Sequence, residues 1–375
     1  MKKAGILGGG QLGRMLLQSA ANYPVETFVM ESSRDCPAAS LCHHFTVGNK
    51  ADFEDVYHFG KNLDVITVEI ENVNVEALEK LETEGVVVIP SCKALKIIKN
   101  KIFQKNHFKD NQTPTSDHLV VRSMEELKQN SSFFPAVQKL ATGGYDGRGV
   151  ALINSIDDVE NGFDEDSILE KKINIKKELA VIVAVDRNMN YTSYPVTEMV
   201  FNNNLNLLDY QFCPADIDAD IFTKATAVAE KSVLAFESPG LFAVELFLDI
   251  NNNILVNEIA PRVHNSGHHT IEVSVCSQFD MLMRIMLDYP LGNTQTNCFS
   301  SLINIVGNAG ISGNVVYSGI EDILKIPGCY IHIYGKSKVK PGRKMGHITI
   351  VGNNKEEVKN KTKDVKGKIF VKSSD

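Results

Sequence analysis

Two carboxylates, Glu245 and Glu258, stand mid-run in the apolar stretches Ala243-Val244-Glu245-Leu246-Phe247-Leu248 and Ile254-Leu255-Val256-Asn257-Glu258-Ile259. The residues between, 249–253, favour a turn, so the pattern predicts an antiparallel hairpin that brings the carboxylates together. Two adjacent buried anions need a cation, and hard oxygens beside Asn257 suit Mg²⁺ bridging phosphates; structural salt bridges are the plain alternative. Next comes Ala260-Pro261-Arg262-Val263-His264-Asn265-Ser266-Gly267-His268-His269-Thr270, with three histidines in six residues. His264 and His268 straddle Ser266-Gly267, a poor helix, and no cysteine lies nearby. A polar substrate loop beside the metal carboxylates therefore fits better than zinc.

Upstream, Lys139 precedes Thr142-Gly143-Gly144-Tyr145-Asp146-Gly147-Arg148-Gly149, between strand-like runs at 135–139 and 150–153. Four glycines in seven residues make a flexible hairpin whose N–H groups can close over a polyphosphate. Lys139 adds a point charge and Arg148 a planar fork. A second glycine-rich turn, Gly8-Gly9-Gly10-Gln11-Leu12-Gly13, fits G-x-G-x-x-G between a strand and a helix, with Glu31 ending the next strand. Alone it is compatible with a dinucleotide site, another phosphate-bearing ligand or a structural turn. The run Ser167-Ile168-Leu169-Glu170-Lys171-Lys172-Ile173 begins apolar and turns polar, so its backbone could meet a base edge and Glu170 an exocyclic amine. Glu178 could reach ribose hydroxyls. Near the C-terminus, Tyr334-Gly335-Lys336 and Pro341-Gly342-Arg343-Lys344 form a basic cluster suited to a phosphomonoester, or else a solvated charge run.

The elements that must position these groups follow from periodicity. Strands at 4–7, 25–30, 65–68 and 86–89 alternate with helices at 11–21 and 75–81, which predicts a parallel doubly wound sheet closing near Pro90-Ser91. A lysine-rich helix is predicted over 95–108, and a smaller α+β unit over 120–167. Strands follow at 178–185, 242–248 and 254–259, then a boundary at 290–293. The tail reads as a small β-rich module, with strands at 301–306, 329–334 and 347–351 and a charged helix over 355–368. The expected domains are 1–95, 96–292 (with a glycine-loop subdomain at about 114–168) and 293–375.

Composition bounds the rest. A net charge of -7 over 375 residues gives no global attraction to nucleic acid. Seven scattered cysteines without a Cys-x-x-Cys pair predict free thiols in a reduced cytoplasm, and no run is long enough to span a membrane.

The sequence resembles the ATP-grasp superfamily, and within it the N5-carboxyaminoimidazole ribonucleotide synthase family. The resemblance rests on Gly8 to Met15, Thr142 to Gly149, Asn257 to His268 and Pro341-Gly342-Arg343-Lys344-Met345-Gly346-His347. It implies an α/β ATP-grasp fold with a Rossmann-like N-terminal domain, a two-part central domain and a small β-rich C-terminal domain. The implied ligase converts ATP, bicarbonate and 5-aminoimidazole ribonucleotide into the N5-carbamate, ADP and phosphate, as a cytoplasmic homodimer. Lys139, Gly144, Tyr145, Asp146, Gly147, Arg148, Gly149 and Val150 would hold ATP phosphates. Glu170, Lys171, Lys172 and Ile173 would hold adenine, and Glu178 the ribose. Asn257 and Glu258 would contact ATP, with Mg²⁺ on Glu245 and Glu258. The ribonucleotide would meet Gly10, Gln11, Leu12, Tyr145, Arg148, Arg262, His264 and Asn265, with Lys336 and Arg343 on its 5′-phosphate. Asp146, Arg148 and Arg262 would serve the chemistry, Asp146 as base. Two positions depart from the family pattern. Lys96 stands for a basic ATP contact at the start of the central region, and Phe201 replaces a histidine. Two other enzymes share features: a formate-dependent ATP-grasp transformylase would show similar loops, and a Rossmann dehydrogenase would use the first loop alone.

Overall fold

The computed structural model describes residues 1–144, 149–202, 207–308 and 310–374. Its first unit alternates β1 (Lys2–Leu7), α1 (Gln11–Ala20), β2 (Val25–Glu31), β3 (His44–Val47), α2 (Phe53–Gly60), β4 (Val65–Val68), α3 (Val75–Thr83) and β5 (Val87–Ile89). The strands pair in parallel in the order β3-β2-β1-β4-β5. All four residues of β4 are buried, as helices on both faces of a parallel sheet require. The sequence reading lacked β3 and α2. β3 is a largely exposed edge strand of four residues, and the His44-Phe45-Thr46-Val47 alternation is too short to stand out as a period-two signal. Gly8 ends β1 at φ +117°, and a Cβ there would sit 2.2 Å from Glu69 Cγ, so the turn into α1 needs glycine.

α4 (Cys92–Lys99) and α5 (Lys101–Asp110) replace the single helix expected over 95–108. Asn100 adopts an extended backbone, and its Oδ1 accepts from the Ile102 and Phe103 amides at 2.9 and 3.3 Å. It thus ends one helix and caps the next, a competition typical of asparagine. Asn100→Ala is expected to cost about 1 kcal/mol in urea denaturation.

A four-stranded sheet follows, built from β6 (His118–Val121), β7 (Ala136–Leu140), β8 (Val150–Ile153) and β9 (Ser167–Lys171), with α6 (Met124–Gln129) on its face. Its order is β6-β9-β7-β8, and Lys139 pairs with Val150 across the expected glycine hairpin.

The largest sheet starts with β10 (Ile175–Val185), β11 (Tyr191–Ser193), β12 (Thr197–Asn202) and β13 (Leu207–Cys213). Helix α7 (Ala219–Leu234) leads to β14 (Gly240–Asp249), β15 (Ile254–Ala260), the short α8 (Thr270–Val273) and α9 (Gln278–Leu287). The last segment holds β16 (Phe299–Val306), β17 (Gly313–Ser318), α10 (Ile320–Leu324), β18 (Cys329–Ile333), β19 (Lys338–Val339), β20 (Lys344–Gly352), α11 (Lys355–Val365) and β21 (Phe370–Ser373). Three C-terminal strands do not stand apart. The order β15-β14-β10-β12-β13-β16-β20-β18 runs them into the central sheet, while β19-β17-β21 form a small sheet of their own.

Eight of the ten residues of α9 are buried, because it lies between α1 with the first sheet and the back of β10 and β14. Only Asp280 and Arg284, ion-paired at 2.9 Å, are not buried, as suits a helix enclosed in such a sandwich. Leu282, Ile285 and Met286 there join Leu16, Val29 and Val65 on one side and Ala184 and Leu241 on the other in one core. No helix among the described residues is long and apolar enough to cross a membrane.

Candidate active site

The hairpin β14–β15 pairs Glu245 with Glu258 across neighbouring strands, with a bulge just after Glu245. Its turn is set by Asp249, whose carboxylate accepts from the Asn251 and Asn253 amides, both at 2.8 Å. Asn257 Nδ2 donates to Glu245 Oε2 at 3.2 Å, while its Oδ1 accepts from Lys139 Nζ at 2.8 Å. Lys139 also lies 3.0 Å from Glu170, which pairs with Lys105 at 3.2 Å and accepts from Ser116 Oγ at 2.5 Å. Lys105, Lys139, Glu170, Asn257 and Glu258, with Lys101, Gln104 and Ile168, line the cleft between the four-stranded sheet and the central sheet.

Two sequence assignments change here. Lys96 does not enter this cleft. It sits on α4 with its ammonium 2.7 Å from Glu79 of α3, a half-exposed pair. The lysine aimed at the carboxylates is Lys101, which ion-pairs with Glu258, and Lys105 lies one turn further along α5. The Lys101/Lys105 spacing was visible in the sequence, but only the break at Asn100 turns that face inward. Gln104 secures the helix by exchanging hydrogen bonds with the Ile259 backbone, 3.2 Å to its carbonyl and 3.1 Å from its amide.

Glu170 is the second. Its carboxylate is not free for an exocyclic amine, because it is buried among Lys105, Lys139 and Ser116. Burial alone would raise its pKa, but Lys139 and then Lys105 outweigh that and hold it near about 2. Lys171 folds its ammonium onto the Phe133 and Phe134 carbonyls at 3.0 and 3.2 Å, the Lys172 amide bonds Pro135 O at 3.1 Å, and Ile173 is half-buried.

The carboxylates divide into two kinds. Lys101 above all holds Glu258 low, whereas burial and then the nearby Glu258 and Glu178 push Glu245 up. Burial raises Glu178 to about 7, against a small lowering by Lys139. Glu245 and Glu258 are the residues that could hold a divalent cation here, offering two hard oxygens and leaving the other positions to phosphate and water. Among the described residues no group of three or more His, Cys, Asp or Glu side chains is placed to hold a metal ion.

Glu178 gives a pH prediction for the nucleotide-free, metal-free protein. Its folded pKa of about 7 exceeds the usual 4.5, so its stabilising contribution is complete below 4.5 and lost as pH rises through 7. Glu178→Gln should therefore be more stable than the parent at pH 8 by about 1–2 kcal/mol, a figure discounted for partial exposure. The advantage should shrink to a few tenths of a kcal/mol, roughly a quarter of its size at pH 8, by about pH 5 in denaturant titrations. An equal effect at both pH values would sink this account.

The first glycine loop is filled from within. Glu69 Oε1 and Oε2 accept from the Gly10 and Gly13 amides at 2.9 and 2.8 Å, and Glu31 accepts from Gly9 at 3.0 Å. A protein carboxylate thus takes the place at the α1 N-terminus that a pyrophosphate would need. Glu31 also ion-pairs with Lys50; burial opposes its ionisation, yet that ion pair and the Gly9 amide hold it near about 2. The amides and the carboxylate that a dehydrogenase would use are both engaged, which removes that reading. Of the three predicted residues, Gly10 serves Glu69 and Leu12 packs against the core. Gln11 points to the opposite end of the chain: its Oε1 accepts from Lys336 Nζ at 2.6 Å.

Lys336 also bonds the Lys344 carbonyl at 2.6 Å, and its charge lies 5.6 Å from the Tyr334 ring centroid. Arg343 is half-buried nearby in sequence and donates to Lys338 O at 2.7 Å. From the central loop, Arg262 Nε donates to Glu71 at 2.8 Å, and His264 Nε2 lies 3.6 Å from Glu245. Asn265 is buried with neither amide atom hydrogen-bonded among the described residues. Tyr145, Asp146, Gly147 and Arg148 lie outside the described residues, as does the Phe201 side chain; Gly144 and Gly149 flank that gap, and Val150 opens β8.

This geometry can be set beside known proteins. The ribonucleotide synthetase preATP-grasp domain matches residues 1–99, the ATP-grasp domain 106–279, and the phosphoribosylaminoimidazole carboxylase C-terminal domain 300–361. The crystal structure of N5-carboxyaminoimidazole ribonucleotide synthetase from Thermotoga maritima is 36% identical, with a TM-score of 0.93 and full coverage of both chains. The chain belongs to the N5-carboxyaminoimidazole ribonucleotide synthetase family. Another N5-carboxyaminoimidazole synthase, from Aspergillus clavatus, was solved with ADP and 5-aminoimidazole ribonucleotide. It is 35% identical with a TM-score of 0.88, over 97% of this chain and 98% of its own. The chloroplastic phosphoribosylaminoimidazole carboxylase of Vigna aconitifolia is 37% identical over 358 residues, 93% of this chain. This chain spans 64% of that protein's length.

Proposed function

We propose that this protein carboxylates the exocyclic amine of 5-aminoimidazole ribonucleotide, using ATP and bicarbonate and releasing ADP and phosphate, in purine biosynthesis. One observation carries the reading: the cleft of lysines and carboxylates and the 262–268 loop meet where His264 approaches Glu245 at 3.6 Å. A phosphate-transfer site and an acceptor site are thereby adjacent.

In this reading Lys101, Lys139 and the 144–150 loop hold the triphosphate. The 171–173 backbone takes adenine and Glu178 the ribose. Glu245 and Glu258 would hold Mg²⁺, which when bound would supply charge neutralisation to the phosphates. A bicarbonate oxygen attacks the γ-phosphorus, ADP leaves, and carboxyphosphate forms. Arg148 and the lysines offset the charge that builds up there. Loss of phosphate gives CO₂, whose carbon accepts the amine lone pair, and Asp146 takes the amine proton. Arg262, His264 and Asn265 orient the aminoimidazole, and Lys336 and Arg343 bind the 5′-phosphate. Closure of the glycine loop excludes water, because carboxyphosphate hydrolyses readily.

The test is ADP release from Mg-ATP and 5-aminoimidazole ribonucleotide, with and without bicarbonate, while the acid-labile carbamate is followed. Bicarbonate-dependent carbamate is expected. ADP without carbamate would mean a different acceptor, and no ATP turnover by folded protein would overturn the ligase reading. Asp146→Asn should bind ATP normally and form no carbamate; full activity would remove its role as base.

A further inference from the structure

The 264–269 loop is held by two buried glutamines from opposite sides. Gln278, the first residue of α9, places one amide against both backbone groups of His264. Its Oε1 accepts from the His264 amide at 2.9 Å, and its Nε2 donates to the His264 carbonyl at 2.8 Å. The second Nε2 proton faces His268 Nδ1 at 3.0 Å. Burial keeps the His268 ring neutral, so Nδ1 can accept. The Gln278 backbone amide meets Thr270 Oγ1 at 3.0 Å, and that hydroxyl donates to Gly267 O at 2.5 Å. Gly267 permits the approach, since a Cβ there would lie 2.6 Å from Gln278 Oε1. From β13, Gln211 Nε2 reaches the Asn265 and Ser266 carbonyls, both at 3.2 Å, and His269 Nδ1 at 3.3 Å.

What this clamp maintains is informative. Asn265 is kept buried with its side-chain amide unpaired among the described residues, a conformation a free loop would leave. His264 is held with Nδ1 2.9 Å from Ser266 Oγ and Nε2 toward Glu245. We propose that Gln278 is a positioning residue for ribonucleotide recognition, fixing the His264 backbone so that His264 and Asn265 are set for the aminoimidazole before it binds. The inference rests on the proposed reaction. It assigns part of the affinity for one substrate, and none for ATP, to a side chain that touches neither.

The experiment compares the parent with Gln278→Met, which removes both polar atoms, and Gln278→Glu, which keeps volume and acceptor but sets an oxygen against two acceptors. The expected result is a KM for 5-aminoimidazole ribonucleotide raised roughly tenfold or more, from the loss of one to two hydrogen bonds. The calorimetric Kd for Mg-ATP should stay within about twofold of the parent, and kcat should fall less than KM rises. Gln138→Glu is the matched control. Gln138 clamps Phe163 in the same way, 2.9 Å to its carbonyl and 2.9 Å from its amide, away from this loop. It should lower Tm comparably without moving the ribonucleotide KM. An unchanged KM in both Gln278 variants, equal rises with Gln138→Glu, or failure of both Gln278 variants to fold would overturn the proposal. A parent that forms no carbamate would instead defeat the reaction on which it rests.

Discussion

Glu258→Gln is expected to lower kcat by about two to three orders of magnitude while the protein still folds. Of the two hairpin carboxylates Glu258 is the one that stays ionised, because Lys101 pairs with it and Lys139 and His264 add to the field. An amide keeps the shape but removes the charge that pairs with Lys101 and one of two oxygens offered to the cation. Glu245, pushed toward its neutral form by burial, cannot substitute for it. Folding should tolerate the change, since the Glu258 side chain is 40% exposed. ADP release followed against Mg²⁺ concentration is the measurement. A turnover within threefold of the parent would remove Glu258 from the metal role.

Lys336→Ala should instead act on one substrate. Lys336 bridges Gln11 of the first unit and the Lys344 carbonyl, so its ammonium is already oriented when a phosphate arrives. A charge-assisted hydrogen bond is worth about 1.5–3 kcal/mol, so the ribonucleotide KM should rise roughly 10- to 100-fold. The Kd for Mg-ATP should not change, because neither Lys336 nor the Gln11 and Lys344 groups it bonds line the cleft of Lys139 and Glu258. Equal weakening of both substrates would place the effect in folding, and no change would move the phosphate elsewhere.

The parts of the site that the sequence made legible are those fixed by local geometry. The two apolar runs 243–248 and 254–259, with a turn between, are enough to place Glu245 opposite Glu258. The strand runs flanking the second glycine loop likewise predict the β7–β8 pair. What failed to show depends on side chains meeting across long separations. Nothing local says that Glu69 reaches back 59 residues to cap Gly10, or that Glu170 is used up by Lys105 and Lys139. Lys96 and Lys101 share one lysine-rich stretch, and only the Asn100 cap decides which faces the carboxylates. Gln278 and Gln211 carry no motif, and their meaning is set by the loop packed over them. The tail strands β16, β18 and β20 are legible as strands, but β17, β19 and β21 are not, and neither sequence marks that β13 pairs with β16.

That pairing has a mechanical consequence. Tyr210 to Cys213 are zipped to Ile303 through Ser300, and β16 in turn to the whole of β20. A protease cutting once within 290–298 would sever the covalent thread and leave the ladder. The two fragments should migrate as one particle on size exclusion until denaturant separates them, and amides in β13, β16 and β20 should exchange with solvent at a common slow rate. Any opening that admits nucleotide must then come from the separate four-stranded sheet carrying Lys139, moving as a jaw against a single plate.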